Sequence, residues 1–168
     1  MACVVSEGPS LTSIYVTGEH LGELRADSGQ FFLWRFMTRN GWWQAHPYSL
    51  SSAPNAHWLR LTVKDLGDHS SALAHLRPRT FVIAEGPYGA FTDRRRTRSK
   101  VLLIGGGIGI TPLRALFESL PGAAGDVTLI YRARSAREVA FRDELETIAD
   151  TRRATLHWLV RAANTPSF

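Results

Sequence analysis

Four glycines in five positions, Gly105, Gly106, Gly107 and Gly109, lead into Ile110-Thr111-Pro112. A glycine-rich turn between a buried strand and a helix start bares backbone N–H groups to a phosphate, and the helix N-terminus adds positive potential. The run departs from the full dinucleotide fingerprint, because Pro112 stands where a third glycine would. A tight turn without a ligand is the plain alternative, but four glycines exceed what such a turn needs. If a dinucleotide binds here, the end of the next strand faces its adenosine ribose. An acidic residue there suits the 2′-hydroxyl of NADH and a basic one the 2′-phosphate of NADPH. The chain offers Tyr131-Arg132-Ala133-Arg134-Ser135, with no carboxylate before Glu138. Arg132 and Arg134 therefore favour NADPH over NADH, although a solvated strand end accounts for them equally.

A second cluster precedes the first. His46-Pro47-Tyr48-Ser49-Leu50-Ser51-Ser52 taken alone is a plausible strand. Further on, Lys64 precedes Gly67-Asp68-His69-Ser70-Ser71, small capping residues that offer another anion site at a helix start. Glu85-Gly86-Pro87-Tyr88-Gly89 reads as a rigid turn closing a strand, as a close backbone approach requires.

The elements that must hold these clusters differ between the two halves of the 168-residue chain. Residues 13–17, 30–36, 58–63 and 80–84 are short runs of β-branched and aromatic residues separated by turn formers, which predicts a small antiparallel barrel. Residues 70–76 interrupt it as a short helix. In the second half, 101–104 is a continuous apolar run of the kind buried on both faces of a parallel sheet. Thr111 as cap and Pro112 at the first helical position predict a helix to residue 120. A strand over 127–131, a helix over 138–149 and a strand over 155–160 complete a doubly wound parallel pattern. The expected fold class is thus β plus α/β: a barrel over 1–96 and a nucleotide-binding unit over 97–168, with the basic stretch 94–100 as a solvated linker. Trp34, Trp42 and Trp43 are expected to pack in the barrel core or rim, with a docking surface as the sharper alternative.

A formal net charge of +5 and a pI near 10 suit nucleic acid, an anionic membrane surface or phosphate-bearing cofactors. No recognised nucleic-acid motif accompanies the charge, so no nucleic-acid partner is expected. The single cysteine, Cys3, builds no disulfide framework, zinc site or iron–sulfur cluster by itself, and no metal site is expected. There is no signal-peptide pattern, and the longest apolar run, 101–110, is too short to span a bilayer. A cytoplasmic location follows as the simpler expectation.

In order, the His-Pro-Tyr-Ser, Gly-Asp-His-Ser-Ser, Glu-Gly-Pro-Tyr-Gly and Gly-Gly-Gly-Ile-Gly-Ile-Thr-Pro segments resemble the ferredoxin–NADP reductase superfamily, over nearly all of the chain. Family members more often carry Arg-x-Tyr-Ser at the first segment. The histidine, with Gly-Asp-x-Ser/Thr downstream, is similar to the ferric reductase and NADPH oxidase branch. The resemblance implies hydride transfer from NADPH or NADH to FAD, then single electrons to an acceptor such as haem or ferric iron. By position, Tyr48 would pack on the flavin and Ser49 would hydrogen-bond near its N5, making Ser49 the one candidate catalytic residue. His46 and Pro47 would shape the flavin seat. Lys64, Gly67, Ser70 and Ser71 would serve the FAD pyrophosphate, and residues 105–111, including Thr111, that of the nicotinamide nucleotide. No side-chain general base is required, because hydride passes directly between cofactors. The branch usually joins such a unit to a transmembrane haem domain on its cytosolic face. A soluble reductase component of an oxygenase or siderophore system, and a cofactor-binding module without turnover, are the alternatives. The family's usual Cys-Gly-Pro motif is not reached by Asn164-Thr165-Pro166-Ser167-Phe168, so the nucleotide-binding unit is expected to be incomplete at its C-terminus.

Overall fold

A computed structural model describes residues 3–8, 10–39 and 41–160. The terminal residues 164–168, on which the expectation of incompleteness rests, lie outside the described residues.

Six strands make the first half: β1 (Cys3–Gly8), β2 (Leu11–Val16), β3 (Phe31–Phe36), β4 (His46–Ser49), β5 (Leu59–Lys64) and β6 (Val82–Tyr88). Two antiparallel three-stranded sheets, β1-β2-β5 and β4-β3-β6, are joined by a bridge between Leu50 and Leu61. Alternation explains the barrel core: Phe32, Trp34 and Phe36 of β3 and Ile14 and Val16 of β2 face inward against Leu59, Leu61 and Val63. Each such large side chain contributes about 1.5–3 kcal/mol by leaving water. The short helix α1 (Asp68–Leu73) caps one end through Leu73.

The second half is β7 (Val101–Gly106), α2 (Ile110–Ser119), β8 (Val127–Ala133), α3 (Arg142–Arg152) and β9 (Thr155–Val160). The three strands are parallel in the order β7-β8-β9. Leu103, Leu129 and Tyr131 form a core with Leu113, Leu116 and Phe117 of α2 and Leu145 and Ile148 of α3. Both helices therefore cover the same face of the sheet. Right-handed crossovers running in one direction require this. Among the described residues the opposite face of β7 stays open, with Leu102 56% and Ile104 66% exposed. The run 101–104 is buried on one face, not on both as its composition predicted.

Other expectations shift in detail. A 3₁₀ turn over Gly107–Gly109 precedes α2, whose N-cap is Gly109, so Thr111 and Pro112 lie inside the helix. The hydroxyl of Thr111 donates to the Ile108 carbonyl, one turn back, instead of capping from outside. The stretch 94–100 joins β6 to β7 and is mostly exposed, with Arg94 paired to Asp27 at 2.7 Å. Arg96 donates to the carbonyls of Arg98, Ser99 and Pro121. Trp34 is fully buried, whereas Trp42 and Trp43 stand 55% and 57% exposed, edge to face with each other. Among the described residues, no helix is long and apolar enough to cross a membrane.

Candidate functional site

The barrel and the parallel sheet meet at a cleft of about 620 Å³. One wall is β4, with His46, Pro47, Tyr48 and Ser49; the other is the start of α2, with Thr111 and Pro112. Lys64, Leu66, Gly67 and Ser70 close one side. Lys64 and Leu66 also line an adjoining groove of about 1000 Å³ that runs past Gly106, Gly107, Arg132, Arg134 and Glu138. Segments as far apart as His46 and Glu138 thus frame two adjoining depressions.

Each wall is braced from behind. Buried Trp34 donates its indole N–H to the Tyr48 carbonyl at 3.0 Å, fixing the middle of β4. The rings of His46 and Tyr48 stack at 6.3 Å. Burial lowers the His46 pKa, so the imidazole is neutral at pH 7 and supplies no standing charge. Burial raises the Tyr48 pKa, keeping the phenol protonated. On the opposite wall, the fully buried Tyr131 donates to the Gly107 carbonyl and accepts the Ala140 N–H, each at 3.2 Å. Burial first, and the charge of Glu138 after it, raise the Tyr131 pKa against the lowering effect of Ala140. Sequence reasoning missed this brace; an aromatic at the end of a buried strand reads only as core.

The glycines divide by cause. Gly105 belongs to β7, and a Cβ there would come within 2.5 Å of the Leu113 side chain, so packing of strand on helix accounts for it. Gly107 adopts φ +53°, and nothing lies within 4 Å of the Cβ it lacks. The space beside Gly67 and Gly109 is open in the same way. Positive φ accounts for glycine at 67 and 107, whereas neither φ nor packing requires it at 109, where the bared backbone leaves room for a phosphate-bearing group. Ser70 lines the cleft, its hydroxyl donating to the Gly67 carbonyl at 2.9 Å and accepting the Leu66 N–H at 2.8 Å, while the Ser71 hydroxyl donates to Asp65 at 2.5 Å and to the Gly67 carbonyl at 2.9 Å. Ser71 holds the turn and is not part of the cleft lining. The Glu85–Gly89 segment continues β6 to Tyr88, whose hydroxyl donates to Glu85 at 2.6 Å, and it stands outside both depressions.

Comparison with known proteins agrees with this geometry. A family model for an FAD-binding domain matches residues 10–92, and one for an oxidoreductase NAD-binding domain matches residues 103–167. The ferredoxin reductase component of a 3-ketosteroid-9-alpha-monooxygenase from Mycolicibacterium smegmatis is 32% identical over 99% of this chain and 51% of its own length. Ferredoxin–NADP reductase B of Sorangium cellulosum is 34% identical over 61% of this chain and 44% of its own length. The cytochrome b5 reductase domain of Ulva prolifera nitrate reductase shares the fold, with a TM-score of 0.79 at 20% identity over 99% of this chain and 73% of that one. The chain spans about half the length of the curated relatives it matches.

The FAD-binding match falls on the barrel and the NAD-binding match on the parallel sheet, the two units that meet at the open cleft. The chain belongs to the ferredoxin–NADP reductase superfamily, and FAD and NAD(P)H are its cofactors.

Proposed function

We propose that hydride passes from NADPH, with NADH as the weaker donor, to FAD within the cleft between β4 and α2, and that electrons then leave singly to a partner. The observation that carries this reading is that one depression is shared by His46–Ser49, Gly67, Ser70 and the start of α2. FAD when bound supplies the conversion of two-electron into one-electron chemistry.

The residues act by placement. Tyr48 offers its ring to the flavin, and Ser49 offers a hydroxyl beside the reacting edge. His46 and Pro47 set the depth of the seat, and neutral His46 leaves the anionic end to Lys64, Gly67 and Ser70. Gly106, Gly107 and Gly109 present the backbone to the nicotinamide nucleotide's pyrophosphate, with Thr111 stiffening the turn. Arg132 and Arg134, exposed in the adjoining groove, suit the 2′-phosphate. The division into a barrel unit over 1–96 and a nucleotide unit over 97–168 belongs to the same proposal.

For the acceptor, the Mycolicibacterium relative's name favours an oxygenase partner. His46-Pro47-Tyr48-Ser49, resembling the ferric reductase branch, favours a haem or ferric iron centre, including one in a transmembrane haem domain. The reading places the unit in the cytoplasm or at a cytosolic membrane face. Absorbance of FAD-loaded protein, before and after NADPH without oxygen, tests the first step. Bleaching of the flavin bands supports it; retained flavin that stays oxidised leaves only a cofactor-binding module, and no retained flavin removes the role of residues 46–49. Screening the reduced protein against a ferredoxin, a haem protein and a ferric chelate then separates the acceptors.

A further inference from the structure

We propose that Arg60 and Glu144 are the positioning pair that holds the barrel against the nucleotide sheet at the separation hydride transfer requires. The proposal rests on the reading of the cleft given above and names what keeps its two walls in register.

Arg60 is the second residue of β5, its side chain 3% exposed between the buried Leu59 and Leu61. Every arm of its guanidinium is used. Nε donates to the Ser51 hydroxyl at 3.2 Å, Nη2 to the Ser51 carbonyl at 2.8 Å and Nη1 to the Tyr15 hydroxyl at 3.3 Å. Nη1 and Nη2 also reach the two carboxylate oxygens of Glu144, each at 2.9 Å. Glu144 belongs to α3, across the seam. Its Oε2 takes Arg114 of α2 at 2.7 Å, and Arg114 continues to Glu118 at 2.5 Å. Glu118 in turn accepts the Ala53 N–H at 2.7 Å.

The chain of contacts ends on the supports of both cleft walls. Ser51 and Ala53 follow directly on β4, whose residues 46–49 form one wall. Arg114 and Glu118 lie one and two turns along α2 from Thr111 and Pro112, which form the other. Arg60, Arg114, Glu118 and Glu144 stand outside the cleft lining, so they act on bound cofactors only through these backbones. Stability alone does not call for the arrangement. Apolar residues of similar volume often replace a buried ion pair without loss. A bidentate guanidinium–carboxylate fork supplies fixed direction and distance, which apolar packing does not. Misplacing reacting groups by an ångström lowers a rate by about 100-fold.

The test uses the whole chain loaded with FAD, comparing wild type with Arg60→Met/Glu144→Met, which keeps the seam filled and removes the fork. Arg114→Gln, which weakens one arm and keeps the central pair, is the second variant should the first not fold. Three quantities are read: the dissociation constants of FAD and NADP⁺, the flavin reduction rate at saturating NADPH, and the distance distribution between spin labels at Thr17→Cys and Thr151→Cys in a Cys3→Ser background. The expected result is a broadened distance distribution and a saturated rate reduced roughly 10- to 100-fold, with both dissociation constants within about twofold, and a smaller change of the same kind for Arg114→Gln. An unchanged distribution, or a loss confined to cofactor affinity, overturns the proposal. If wild type binds FAD and NADPH without reduction, hydride transfer itself fails, and the distance distribution alone decides whether Arg60 and Glu144 hold the seam.

Discussion

The phenol of Tyr131 lies 3.2 Å from the Gly107 carbonyl and pins the glycine turn to the strand that follows it in the sheet. Removing that hydroxyl in Tyr131→Phe frees the turn and leaves the buried Ala140 N–H without its acceptor. A lost hydrogen bond of this kind costs about 1 kcal/mol, and an unsatisfied buried donor 1–3 kcal/mol. The expected outcome is NADP⁺ affinity reduced about fivefold, FAD affinity unchanged and a melting temperature lowered by a few degrees. Titration calorimetry for each nucleotide, together with a thermal melt, checks it.

Arg132 and Arg134 project into the groove beyond the glycine turn. Charge-assisted hydrogen bonds to a phosphate contribute about 1.5–3 kcal/mol. Arg132→Ala/Arg134→Ala should therefore raise KM for NADPH by roughly 10- to 100-fold while moving KM for NADH by less than about threefold. Equal loss with both donors would mean that the arginines serve the common part of the nucleotide. No loss with either would make them a solvated strand end.

Glu144 makes stability depend on acid. Burial alone would raise its pKa, but hydrogen bonds and charges from Arg60 and Arg114 bring it below the ordinary value of 4.5. A carboxylate whose folded pKa is depressed stabilises the fold above its unfolded pKa, and that contribution is lost as pH falls through the folded value. Stability of the wild type against urea should thus fall as pH drops from about 4.5. In Glu144→Gln this part of the pH dependence should flatten. At pH 7 the same variant leaves buried Arg60 unpaired, at a cost of about 2–3 kcal/mol. That is below the cost for a fully enclosed pair, because the Glu144 side chain is 34% exposed.

Ser49 lines the cleft at the end of β4, and the proposed function sets its hydroxyl beside the flavin's reacting edge. Ser49→Ala should lower the saturated rate of flavin reduction about 10- to 100-fold, with FAD retention and melting temperature near wild type. Stopped-flow absorbance after anaerobic mixing measures the rate.

How much was legible in the sequence follows the range of the signal. The glycine run, the His-Pro-Tyr-Ser strand and the Gly-Asp-His-Ser-Ser turn announce themselves because a few adjacent residues dictate backbone geometry. The short β-branched and aromatic runs over 13–17, 30–36 and 58–63 predicted the barrel for the same reason. Helix caps were less secure: the 3₁₀ turn over Gly107–Gly109 moved the start of α2 ahead of Thr111. The Arg60–Glu144 pair spans 84 positions, and no local pattern distinguishes Arg60 from a strand residue pointing at solvent. Ser70 and Ser71 read as phosphate ligands by type and position, whereas the contacts of both hydroxyls with the Gly67 carbonyl are not visible in a sequence. The charge of residues 94–100 is visible in a sequence, whereas the carbonyls that hold Arg96 within that connection are not.

The central claim is that the cleft between β4 and α2 is where a reduced nicotinamide meets FAD. Its most direct test is stopped-flow flavin reduction, mixing FAD-loaded protein anaerobically with NADPH or with NADPH deuterated at C4. The account predicts loss of flavin absorbance in a phase that saturates with NADPH and is slower with the deuterated nucleotide. Reduction at equal rates with both, or tight binding of both nucleotides without any reduction, would contradict it.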